Sequence, residues 1–184
     1  MEQQTTSNKT LDHANTIRAG VFGIQDGVVS NFGLIMGVAG AQVDPAAVVI
    51  AGVAGLVSGS VSMGAGEYVS VRTQREMLEA GRAVDDDENV NPFRAALANG
   101  GLFVVGALVP LIAFFFTTGM PAITISAVLS IGVLFAAGAL LTKLTRRSAL
   151  RSGLRIVVIG GGAGLLGYLI GSGLGAALNG MSGV

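Results

Sequence analysis

The stretch Val21-Phe22-Gly23-Ile24-Gln25-Asp26-Gly27-Val28-Val29-Ser30-Asn31-Phe32-Gly33-Leu34-Ile35-Met36 holds a single charge in an otherwise apolar or neutral run. A helix rises about 1.5 Å per residue, so about 20 such residues cross the hydrocarbon layer of a membrane. With its flanks, Ile17–Ala41, this run is long enough to do so. Its one charge, Asp26, falls near the middle, where a carboxylate costs about 2.5–3.5 kcal/mol to insert. A chain keeps such a group when it acts inside the membrane, on an ion or proton path.

Four more stretches have the same character: Ala46–Val71, Ala95–Thr117, Ala122–Lys143 and Leu154–Leu178. Composition agrees. Of 184 residues 51% are hydrophobic and 12% charged, with a mean hydropathy of +0.69, whereas soluble domains carry about 25% charged residues. The fold class is all-α, a polytopic membrane protein with five transmembrane helices in one domain over residues 17–184, preceded by a polar cytoplasmic leader, Met1–Thr16. That leader has no apolar core and reads as a short disordered tail, not a signal peptide.

The absences narrow the chemistry. There is no cysteine or tryptophan, and the one histidine, His13, lies in the leader. Disulfides, thiolate metal sites, histidine-rich zinc sites and a Ser-His-Asp triad are therefore excluded within one chain. The expectation is no enzyme, no resident cofactor and no nucleic-acid partner; the partners are membrane lipid and whatever Asp26 serves.

The basic residues fix an orientation. Lys9 and Arg18 flank the first span. Arg72, Arg75, Arg82 and Arg94 lie between the second and third, and Lys143, Arg146, Arg147, Arg151 and Arg155 between the fourth and fifth; together these are all 11 in the chain. An N-terminus in the cytoplasm and a C-terminus outside puts every one on the cytoplasmic side. The compact chain leans to a bacterial inner membrane.

Glycine is the second signal. Gly160, Gly164, Gly167, Gly171 and Gly175 stripe the last span, Gly33 and Gly37 the first, and Gly52, Gly55 and Gly59 the second. Small residues at such spacing let helix backbones approach closely where lipid provides no hydrophobic drive; tight packing accounts for the last stripe. After the second span, Arg72 to Ala80 are helix formers, so that helix continues about two turns into the cytoplasm and stops at Gly81. Asp85 to Glu88 form a hydrated acidic linker, and Asn91-Pro92 caps the third span.

Counted from the cytoplasmic face, Asp26 lies nine residues inside Ile17, and Met63 eight inside Val71. Both reach about 12–14 Å, close to the bilayer midplane. Glu67 sits one turn nearer the cytoplasm on the same face as Met63, and Ser30 and Asn31 lie one turn beyond Asp26. Carboxylates, an amide and a thioether suit a divalent transition metal, Fe2+ or Mn2+ more than zinc or copper. Each also has a plainer reading, Met63 as packing and Glu67 as an interfacial charge paired with Arg72. One chain offers too few ligands for a dehydrated ion, and a two-fold homodimer would double the set. Burial disfavours the charged form of a carboxylate, so protons and metal would compete for the same oxygens, as an exchanger requires.

Asp26-Gly27-Val28-Val29-Ser30-Asn31-Phe32-Gly33-Leu34-Ile35-Met36-Gly37-Val38-Ala39-Gly40-Ala41 resembles the first-helix motif of the vacuolar iron transporter family. Ser62-Met63-Gly64-Ala65-Gly66-Glu67-Tyr68-Val69-Ser70-Val71, with Gln74-Arg75-Glu76, resembles its second-helix motif. The resemblance implies a dimeric five-helix carrier that moves Fe2+, often also Mn2+, out of the cytosol in exchange for protons. It implies Asp26 and Met63 as the transport residues, Glu67 as a further ligand, and Glu76 and Glu79 as the start of the family's cytoplasmic metal-binding helices. The chain departs from the family between spans two and three, where about twenty residues replace a longer glutamate-rich domain, so it reads as a short form. The expected metal-site residues are thus Asp26, Met63, Glu67, Ser30, Asn31, Glu76 and Glu79. The alternatives are a passive divalent-cation channel along the same path and a non-transporting membrane scaffold.

Overall fold

The computed structural model describes residues 2–81, 91–145 and 148–182. Five helices follow in order: α1 (Glu2–Gly40), α2 (Pro45–Glu79), α3 (Pro92–Phe116), α4 (Gly119–Thr145) and α5 (Ala149–Ser182). No strand occurs among the described residues. Each helix contains a segment long and apolar enough to cross a membrane: Thr16–Gly40, Pro45–Glu79, Pro92–Phe116, Gly119–Leu140 and Ala149–Met181.

The breaks between helices follow from local chemistry. Asp44 caps α2, its carboxylate accepting from Ala46 N at 2.7 Å, with Pro45 at the first helical position where no N–H is needed. Asn91 caps α3 in the same way, accepting from Phe93 N and Arg94 N ahead of Pro92. α2 runs on past its apolar part to Glu79, and Gly81 leaves it in the left-handed region at φ +71, the stop read from the sequence. Gly119, at φ +66, makes the turn into α4.

Two segments differ from expectation. Residues 2–16, read as a disordered tail, continue α1 as helix; they contain no glycine or proline, and extending an existing helix avoids the cost of nucleating one. The expected loop over 144–153 is mostly helical too, with α4 ending at Thr145 and α5 beginning at Ala149. The acidic run Asp85 to Glu88 lies outside the described residues.

α1 sits at the centre, packed on α3 and α5. The α1–α5 seam is backbone against backbone. A Cβ built on Gly171 would overlap the carbonyl oxygen of Gly37, and one on Gly175 would lie 2.5 Å from that of Ala41, so only glycine permits this approach. The α2 stripe packs on side chains instead, with Gly52 against Leu111 and Ile35, and Gly59 against the Phe103 ring. The main buried cluster, including Phe32, Ile35, Met36, Val48, Leu111 and Phe114, joins α1, α2 and α3 and takes in Ala122 of α4. α2 is the least covered span, only 11% buried against 50% for α3.

Candidate functional site

A cleft of about 270 Å³ opens between α1 and α2, with α3 as its floor. α1 contributes Asp26, Ser30, Asn31 and Leu34; α2 contributes Gly55, Ser58, Gly59, Ser62 and Met63; Phe103 comes from α3. Asp26 and Met63, matched in depth by counting residues on two antiparallel helices, thus line the same space. Helical spacing explains the α1 side: 26, 30, 31 and 34 share one face. Glycines at 55 and 59 let Leu34, Asn31 and the Phe103 ring close up against the α2 side.

The polar groups are held in specific ways. Ser30 Oγ donates to the backbone carbonyl of Asp26 at 2.7 Å, which leaves the carboxylate to the cleft. Asn31 is 2% exposed, and its Nδ2 donates to the carbonyl of Ala107 on α3 at 2.7 Å. Because that partner is an acceptor, the amide orientation is fixed by chemistry. Its Oδ1 has no partner and lies beside α2, 2.8 Å from where a Cβ on Gly55 would stand. The amide is thus anchored to α3 and its oxygen is buried against α2, so Asn31 braces the wall of the cleft that the Asp26 carboxylate and the Met63 thioether line.

Glu67 does not line this cleft. It is half-buried one turn closer to the helix C-terminus, where it accepts from Asn99 Nδ2 of α3 at 3.1 Å. Its expected alternative partner, Arg72, is bound to Glu76 instead, at 2.8 Å on the exposed surface. Glu76 and Glu79 stand on the extension of α2, 13 and 16 residues beyond Met63, or about 20 Å and more along the helix. The structure therefore gathers Asp26, Ser30, Asn31 and Met63, sets Glu67 a turn away, and keeps Glu76 and Glu79 apart. Among the described residues no three His, Cys, Asp or Glu side chains converge, so one copy supplies mixed ligands and few charges.

Sequence reading overlooked Asn99, Phe103, Ser58 and Ser62. Asn99 left a signal: it is the lone amide in the apolar part of the third span. Phe103 left none, since an aromatic residue in a membrane helix has no pattern that marks it as a cleft wall.

An uncovered, largely apolar face runs along the outside of α2, formed by Val49, Ile50, Val53, Ala54, Val57, Ser58, Val61 and Ser62. It shares Ser58 and Ser62 with the cleft, so the cleft is continuous with the uncovered face of α2.

The model of the VIT family matches residues 17–89 and 79–172. Among curated proteins the chain is similar to vacuolar iron transporter homolog 5 of Oryza sativa subsp. japonica, 38% identical over 161 residues, or 83% of this chain and 76% of that one. It is 34% identical over 163 residues to vacuolar iron transporter homolog 2 of Arabidopsis thaliana, covering 85% and 83% of the two chains. VIT-like transporter 1b of Glycine max is 40% identical over 121 residues, 58% and 53% of the two.

Proposed function

This integral, multi-pass membrane protein belongs to the VIT family, and on that premise we propose that it carries ferrous iron or manganese out of the cytoplasm in exchange for protons. The observation that supports this most is the cleft that Asp26 and Met63 share. An ion leaving water at mid-membrane needs negative charge to offset its desolvation, and Asp26 offers it. The thioether adds a soft donor that binds transition metals in preference to magnesium or calcium. The Ser30 hydroxyl completes a set loose enough to release the ion, and Asn31 braces the cleft wall through its bond to α3. Glu67 stands at the cytoplasmic mouth, where metal and proton exchange on its carboxylate. Glu76 and Glu79 act further out, as a first point of cation attraction.

The working unit is a two-fold homodimer joined along α2. A monomer in lipid would leave the cleft continuous, through Ser58 and Ser62, with hydrocarbon, and Asp26 would face it at the cost given above. A second copy on the Ile50, Val53, Val57 and Val61 face seals that side and brings in a second Asp26 and Met63. The N-terminus lies in the cytoplasm and the C-terminus outside, as the basic residues require; the relatives named above are called vacuolar in plants, so the membrane here is either that of an organelle or a bacterial inner membrane.

Met63→Ala tests the ligand assignment. Sulfur favours Fe2+ over Mn2+, so uptake into proteoliposomes is expected to fall about tenfold for Fe2+ and less than about threefold for Mn2+. An equal loss for both metals would remove sulfur coordination and leave Met63 as packing.

A further inference from the structure

We propose that Asn99 is a positioning residue that holds the Glu67 carboxylate in its working orientation at the cytoplasmic mouth, an inference that rests on the role given to Glu67 above. Asn99 is 1% exposed and lies on α3, 32 residues from its partner. Its bond to Glu67 is a side-chain to side-chain hydrogen bond that joins α3 to α2. A carboxylate can only accept here, so the amide nitrogen faces Glu67. The amide oxygen then has no partner.

The surroundings are built for that grip. A Cβ on Gly23 of α1 would overlap the backbone carbonyl of Asn99 and come within 2.9 Å of its Oδ1. A Cβ on Gly100 would lie 2.7 Å from the Ser60 carbonyl and 3.2 Å from the Gly64 Cα. Glycines on three helices thus bring α1, α2 and α3 together at the level of Asn99, and the narrow α2–α3 approach puts Glu67 within reach. With Oε2 held, Glu67 retains Oε1 for an arriving cation and loses the rotamer freedom that would let it swing into the aqueous mouth. Prepaid ordering of this kind tightens binding without altering the later steps.

The test is a double-substitution cycle on Fe2+ uptake in proteoliposomes of the full chain. Asn99→Ala is expected to raise the Fe2+ concentration at half-maximal rate about tenfold while the maximal rate stays within about twofold. Glu67→Gln raises it at least as much. The double substitution is expected to be no worse than Glu67→Gln alone, because Asn99 acts only through that carboxylate. Effects that multiply, or an Asn99→Ala protein with unchanged half-saturation, would overturn the proposal. Should Asn99→Ala fail to reach the membrane, Asn99→Asp keeps the side-chain volume and sets two carboxyl groups together. Half-saturation is expected to rise when Asn99→Asp is made in the wild-type chain and not when it is added to Glu67→Gln; a rise in both overturns the proposal as well. If Glu67→Gln alone leaves uptake unchanged, it is the role of Glu67 that fails, a result distinct from independent effects at the two positions.

Discussion

Replacing Asp26 with alanine is expected to reduce Fe2+ uptake into proteoliposomes to the level of protein-free vesicles, a loss of at least about 100-fold, with the protein still folded and inserted. The size follows from electrostatics. Removing the carboxylate takes away the charge that offsets desolvation of a divalent cation, a matter of several kcal/mol, and each 1.4 kcal/mol is about tenfold in rate or affinity. Retention of the fold follows from geometry. Asp26 is half-buried on a cleft wall, and Ser30 bonds to its backbone carbonyl, not to its carboxylate. Truncation therefore widens a space already present instead of opening a hole in the core. Mixing copies tests the dimer in the same assay. If two Asp26 residues form one site, a half-and-half mixture of wild type and Asp26→Ala retains about a quarter of the activity; if each copy works alone, it retains about half. Full activity of Asp26→Ala would remove the site.

The second large effect is structural. Gly171→Ala is expected to destabilise the protein by about 1–3 kcal/mol, the usual cost of forcing extra volume into a packed interior, because its Cβ would overlap the Gly37 carbonyl oxygen across the α1–α5 seam. α1 carries Asp26, so parting this seam also displaces the cleft wall and slows transport. Gly173→Ala, two residues on, is the matched control. Nothing lies within 4 Å of a Cβ there, and alanine gains up to about 1 kcal/mol in helix propensity over glycine. Thermal unfolding in detergent is expected to shift down for the first and to stay level or rise for the second. A rise for both would mean that the seam can open at little cost.

Much of the architecture is written in composition and capping chemistry. Five mostly apolar runs of spanning length, Asp44-Pro45 and Asn91-Pro92 at helix starts, and Gly81 after Glu79 are local signals, and local signals survive folding intact. The shared depth of Asp26 and Met63 is accessible for a similar reason: consecutive membrane helices run antiparallel, so counting from one face converts sequence into height. What counting cannot give is the azimuth of a helix, the direction in which each face points. The glycine stripes on α1 and α5 are visible in the sequence, yet nothing in either stripe says that these two meet while the α2 stripe receives Leu111, Ile35 and the Phe103 ring. Pairing of Glu67 with Asn99 is hidden for the same cause, since the partners lie on different helices and local spacing relates only residues on one. Arg72, four residues before Glu76, obeys the local rule and forms the i,i+4 pair that helix geometry favours. The leader departs from its reading as a tail because polarity does not decide backbone conformation, and a polar segment can extend a helix that is already nucleated.

Whether metal moves against protons through the cleft between α1 and α2 is decided by Fe2+ entry into proteoliposomes of the purified protein under an imposed pH gradient, acid inside, with luminal pH followed at the same time. The expected result is Fe2+ concentrated inside above its external level, the lumen turning alkaline in step, and both changes abolished when a protonophore collapses the gradient. Fe2+ that only equilibrates, at a rate indifferent to the gradient, would make the path a passive channel, and no movement of Fe2+ or Mn2+ at all would contradict transport itself.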